Sequence, residues 1–264
     1  MAEFTAKDVQ SLRQATGAGM MDCKRALQES DGDVEAAKQW LREQGLAGAA
    51  KRSDREATQG AVAVATSATG AAIVELRCET DFVAKADSFV ALAEELAELV
   101  AAKGESATGD KASVIDDLKT TLKENISVGR VVHFPVTAGD VLGTYKHVQA
   151  GRGVNAVVVV MRDASEELAH DVAVHIAFAR PAYVRREEVP EADIAAERET
   201  VEKISRNEGK PEAALPKIVD GRMNGWFKER VLLEQAYAKD EKRSISDLVG
   251  SAQVERFAQV EIGG

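Results

Sequence analysis

Gly60 and Gly70 bracket a strand-like run from Ala61 to Thr66, and the same glycine pair returns as Gly143 and Gly153, each 83 residues further on. In both places a second apolar run follows, Ala71 to Glu79 in the first case and VNAVVVVMR in the second, and then a helical pattern. Recurrence at a fixed spacing marks a duplicated unit even where the side chains have diverged. The chain is therefore expected to be α+β, with two duplicated antiparallel sheet-plus-helix subdomains at 60–139 and 140–264.

Each subdomain has its own additions. In the first, a helix from about Ser88 to Ala102 with Asp87 as its cap is followed by a second helix, Ser113 to Asn125. Val114, Leu118, Leu122 and Ile126 fall at four-residue steps there, and the strand RVVHFPVT carries a proline, Pro135, that suits a sheet edge. In the second, the helix SEELAHDVAVHIAFAR precedes two helical segments at about 190–226. These are split by Glu208-Gly209-Lys210-Pro211, and the stripe Ile194, Val201, Ile204 faces Leu215, Ile218, Val219 and Met223, which predicts a protruding antiparallel helical hairpin.

Residues 1–46 read as three short helices. Thr5 and Asp8 have the spacing of a capping box, Gly17 and Gly19 interrupt, Asp31-Gly32-Asp33 makes a turn, and Gly45 is expected to end the third helix. The apolar set is Val9, Leu12, Ala26, Leu27, Val34, Ala37, Leu41 and Leu46, a small core for a free-standing fold, which suits a docking module. Residues 47–59, small and charged without periodicity, read as a linker.

Composition narrows the function. With 45% apolar and 30% charged residues the chain can bury a core, and a net charge of −10 opposes approach to a polyphosphate or an anionic membrane. Neither nucleic acid nor membrane is expected as a direct partner. Cys23 and Cys78 form no CxxC pair, the start MAEFTAKDVQ lacks a signal segment, and no apolar run reaches the ~20 residues of a membrane span, so a cytoplasmic location is expected.

The sequence carries no recognisable motif for catalysis or cofactor binding. Gly209-Lys210 is not a phosphate loop, and Gly151 to Ala156 matches a dinucleotide fingerprint but leads into the strand Val157 to Val160 instead of a helix. His170 and His175 are five apart, out of joint reach of one metal on a helix, and His175 is expected to be packed in the core. No catalytic, cofactor or metal residue is assigned, and the protein is not expected to be an enzyme.

Two segments fit a plain structural role poorly. Thr80-Asp81-Phe82-Val83 places a large aromatic on a short turn, and two readings stand: a staple onto the next helix, or a contact finger. The repeat offers Asp163-Ala164-Ser165-Glu166 at the same offset, without an aromatic, so the architecture does not demand Phe82. Met20-Met21, with Lys24 one turn on, reads either as packing or as an adaptable contact patch.

TGAGMMDCKRAL at 16–27 and ETDFVAK at 79–85 resemble the elongation factor Ts family. The likeness continues through KENI at 123–126, DVLGTYKH at 140–147, HIAFARP at 175–181, and GKP with GRMNGWF within 209–227. The resemblance implies a guanine-nucleotide exchange factor that binds the GDP-bound translation GTPase elongation factor Tu, displaces its Mg²⁺ and releases GDP so that GTP can rebind. It implies a ubiquitin-associated-like fold for the three-helix module. It places Met20, Met21, Cys23 and Lys24 in a first contact surface, Thr80, Asp81, Phe82 and Val83 in the segment that displaces magnesium, and Ile126 and His147 among core-side contacts. Lys123 departs from the family, which more often has Gly there, and 151–154 vary a usual Gly-Arg-Ile-Gly. Self-association as a homodimer stays open, and a passive adaptor or chaperone-like binding protein without exchange activity is the alternative.

Overall fold

The computed structural model describes residues 4–50 and 52–263, the side chains of 46–50 excepted. Contacts divide the chain into two units, one of Met1–His133, Val148–Val154 and Val260–Gly264, the other of Phe134–His147 and Asn155–Gln259.

The first unit begins with α1 (Ala6–Thr16), α2 (Met20–Glu29) and α3 (Val34–Ala50). The capping box forms as expected: Thr5 Oγ1 accepts from the Asp8 amide, and the Asp8 carboxylate accepts from the Thr5 amide at 2.7 Å. The chain leaves α1 through Gly17 in a left-handed conformation. Val9, Leu12, Cys23, Ala26, Leu27, Ala37 and Leu41 make the core of the three helices. Val34, expected there, is exposed on the opening turn of α3, and the side chain of Leu46 lies outside the described residues.

Next come β1 (Gln59–Thr66), β2 (Gly70–Cys78), α4 (Asp81–Ala84), α5 (Asp87–Lys103), α6 (Ala112–Leu122) and β3 (Ser127–Pro135). The strands lie in the order β1-β2-β3, with β1 antiparallel to β2 and Ala63 opposite Val74. Central β2 is buried along almost its whole length, and α5 covers it with Phe89, Leu92, Leu96 and Val100. Pro135 closes β3, an edge strand, as its missing N–H requires.

Three expectations about helix ends need correction. The cap of α5 is Ala86, and Asp87 is instead the first helical residue, where its charge complements the amide dipoles. The helix α6 stops at Leu122, since Lys123 turns left-handed (φ 58°), and Ile115 is its buried residue. Finally, α3 runs through Gly45 to Ala50, because that glycine is a contact and not a terminator: a Cβ there would collide with the Thr120 side chain of α6.

The second unit contains most of β4 (Asp140–Gln149) and β5 (Arg152–Arg162), then α7 (Glu166–Ala179), α8 (Glu191–Asn207), α9 (Leu215–Arg230), β6 (Ala236–Tyr237), β7 (Asp240–Ser244), α10 (Ile245–Val249) and β8 (Gln253–Glu261). Its main sheet has the order β4-β5-β8. Val157, Val159 and Met161 of β5 pack against Val172, Ala173 and Ile176 of α7. The strand-turn-strand-helix series of the first unit thus recurs, with β4 and β5 at the places the glycine pair predicts. His175 is buried as expected: Nδ1 accepts from the Ala238 amide at 3.2 Å, which leaves Nε2–H to donate to Gln235 Oε1 at 3.0 Å.

The hairpin forms from α8 and α9, with Val201, Val219, Met223 and Phe227 between them. Ile204, expected in that stripe, is exposed. The residue four on from Val201 on the buried face is Ser205, whose hydroxyl donates to the Val201 carbonyl at 2.7 Å.

Candidate partner-binding surface

At the end of β2 the chain makes a short detour before α5. Thr80 caps the single turn α4, its Oγ1 accepting from the Val83 amide at 3.3 Å, and the buried Cys78 thiol donates to the Thr80 carbonyl at 3.2 Å. Burial, with the Glu124 charge adding to it, pushes that thiol up to about 12, so it is an inert anchor.

The turn directs its four residues differently. Val83 and Ala84 pack against the first-unit core. Asp81 pairs with Lys85 at 2.5 Å, and the hydrogen bond from Lys85 holds its carboxyl below the usual range. Phe82 points outward and is 83% exposed. The staple reading is therefore wrong: a ring this exposed is not buried against the following helix α5. An exposed pair such as Asp81–Lys85 is worth little, so Asp81 can exchange Lys85 for another donor at small cost.

The backbone of this detour is tied to the residues that follow α6. The Glu124 carboxylate accepts from the amides of Glu79 (3.0 Å) and Thr80 (3.1 Å) and from the Thr80 hydroxyl (2.5 Å). In return Glu79 accepts from the Asn125 amide at 2.7 Å, and the Asn125 side chain donates to the carbonyls of Ser53 and Arg55. In the sequence, KENI stands out only as part of the family resemblance. Nothing local marks Glu124, whose partners lie 44 and 45 residues away.

The other predicted residues separate into two groups. Met20 (46% exposed), Met21 (67%) and Lys24 are exposed at the start of α2, and Asp22 between them bonds Lys123 at 3.2 Å. His147 is exposed on β4 in the second unit, its ring stacked on Tyr145. Cys23 and Ile126, by contrast, are fully buried and cannot present themselves to a partner. Cys23 faces the three-helix core beneath Met20 and Met21, with burial raising its thiol, and Ile126 joins the core under β3. Among the described residues, no group of three or more His, Cys, Asp or Glu could hold a metal ion, and no helix is long and apolar enough to cross a membrane.

The sequence model of the family described as Elongation factor TS matches residues 79–264, from the Phe82 detour to the end. This chain belongs to that family. It is 45% identical to Elongation factor Ts of Clavibacter michiganensis over 278 aligned positions, which cover all of both chains. Identity is 43% to that of Streptomyces griseus, again over the whole of both, and 42% to that of Mycobacterium avium, over all of this chain and 99% of the relative. As an elongation factor Ts family member, the chain acts in the elongation phase of protein biosynthesis. The family match takes in Thr80 to Val83, Glu124 and His147, and the full-length relatives also take in Met20 and Met21.

Proposed function

We propose that this chain is a guanine-nucleotide exchange factor for the GTPase elongation factor Tu, and that no covalent chemistry occurs on the chain itself. The observation that carries the reading is Phe82, a large apolar ring held out in water at 83% exposure on a turn whose backbone is anchored at both ends. Burying such a ring in a partner releases roughly 1.5 to 3 kcal/mol. Spent against an element that ligates the partner's Mg²⁺, that free energy is effective, because magnesium demands near-ideal octahedral geometry and tolerates little displacement. Asp81, in an exposed pair with Lys85, can take hydrogen bonds from the displaced segment.

Phe82 does not suffice alone. Turning an equilibrium from 1:99 to 99:1 takes about 5.5 kcal/mol of differential affinity. Met20, Met21 and Lys24 supply a second contact, where unbranched methionines adapt to the partner, and His147 a third. Coupling is reciprocal: the factor by which this chain weakens GDP is the factor by which GDP weakens this chain. The cytoplasm, where translation GTPases work, is the compartment this reading requires.

The test is release of labelled GDP from elongation factor Tu across a magnesium titration. Wild-type protein should accelerate release most at high magnesium, and the double variant Asp81→Ala with Phe82→Ala should lose nearly all of the acceleration. A double variant as fast as wild type sinks the wedge. Binding without acceleration by the wild type selects a passive adaptor instead.

A further inference from the structure

A four-residue helical turn has almost no stability of its own, since nucleation fixes several residues for one hydrogen bond. Burial of Val83 and Ala84 fixes its far end, but the near end, Glu79 and Thr80, is half-exposed backbone. There the Glu124 carboxylate gathers three donors, two amides and a hydroxyl, onto its two oxygens. The Thr80 hydroxyl donates to Glu124 while accepting from the Val83 amide, so the bonds run in series from the carboxylate into the turn that carries Phe82. The repeat supplies an internal control. In the second unit Ser165 caps α7 by itself, accepting from the Leu168 amide at 3.1 Å, and that short link needs no distant carboxylate to shape it.

We infer that Glu124 is a positioning residue of the exchange surface: its carboxylate fixes the Thr80 end of the turn, so that Phe82 meets the partner already ordered. The inference rests on the exchange reading above. A finger ordered in advance loses less conformational freedom on docking, and that saving appears when the ring inserts, not when the partner first binds. Ile126, two residues on, holds the start of β3 in the core independently of the carboxylate. Removing the carboxylate therefore loosens the finger and leaves the sheet standing.

The experiment follows GDP release from elongation factor Tu as the concentration of full-length factor is varied, with fluorine NMR of the free protein carrying 4-fluorophenylalanine at position 82. Loss of a charge-assisted hydrogen-bond cluster predicts that Glu124→Ala lowers the maximal release rate roughly tenfold while the half-saturating concentration hardly moves. The fluorine line should narrow as the ring gains freedom. Glu124→Gln keeps one oxygen for the two amides and lets the Thr80 hydroxyl accept instead of donate, so it should recover most of the rate. If Glu124→Ala fails to fold, Thr80→Val must show the same separation of rate from half-saturation, and its absence there overturns the inference. Wild-type protein that does not speed release, or Phe82→Ala as fast as wild type, defeats the exchange reading and this inference together. Those two controls behaving as expected while Glu124→Ala keeps its rate and fluorine line defeats the positioning role alone.

Discussion

Residues 79–86 and residues 163–165 do the same architectural task, carrying the chain from a sheet strand to the helix that covers it, and they do it differently. The second link is as short as a strand-to-helix connection can comfortably be, with Asp163 left-handed and Ser165 capping α7 at once. The first inserts a complete extra turn, puts a phenyl ring into water at its apex, and recruits Glu124 and Asn125 to hold its base. Since the short form joins strand to covering helix without an aromatic, that connection does not by itself require the exposed ring of Phe82. A difference between two copies of one architecture separates what the fold needs from what an outside molecule needs.

That contrast can be strained at several points. The largest effect should come from comparing two phenylalanines seven residues apart in one segment. Phe89→Ala empties the center of the first core and should cost about 3 to 5 kcal/mol in denaturant unfolding, whereas Phe82→Ala, with an exposed ring, should stay within about 0.5 kcal/mol of wild type. A comparable loss at both positions would mean that Phe82 serves the fold after all.

A smaller effect tests the duplication itself. A Cβ at Gly60 would run into the Leu76 carbonyl, and one at Gly143 into the Ala169 carbonyl, both backbone and neither easily moved. Gly60→Ala and Gly143→Ala should each cost about 1 to 3 kcal/mol by forcing strand or helix to shift, and full stability in either variant would show that the recurrent glycine is incidental in that copy.

The smallest effect concerns acid. Burial depresses His175, which is neutral in the folded chain. Well above the ordinary imidazole value of about 6.5 the ring is neutral in folded and unfolded chains alike; as pH falls through that value the unfolded chain takes up the proton more readily, so stability falls. Melting followed from pH 7.5 to 5.5 should show this decline, and a His175→Leu variant should show less of it, whatever its stability at neutral pH. An equal slope in both would place the acid sensitivity elsewhere.

Much of this architecture was legible in the sequence because it rests on local rules. The Thr5–Asp8 box, the Gly17 stop, the glycine-framed hairpins and the arms of the 190–226 hairpin all follow from residues within a few positions of one another. What failed depended on distant contacts. Gly45 looked like a terminator, but Thr120 decides its role; Ile204 matched the stripe that Ser205 actually occupies. On the surface, pattern singles out Phe82 and the Met20–Met21 pair but does not orient them, and two of the contacts that the resemblance implies, Cys23 and Ile126, are buried in the cores. Lys123 was singled out only as a departure, and its left-handed conformation gives the physical reason a glycine suits that place.

The ties between Glu124 and Thr80 also set an order of events during synthesis. Codons for the finger are read some 44 residues before the one that gives it shape. On the reading in which Glu124 positions the finger, a nascent chain paused between them carries the Phe82 sequence without the carboxylate that anchors its turn. Assembly of this surface is thereby timed by the chain's own length.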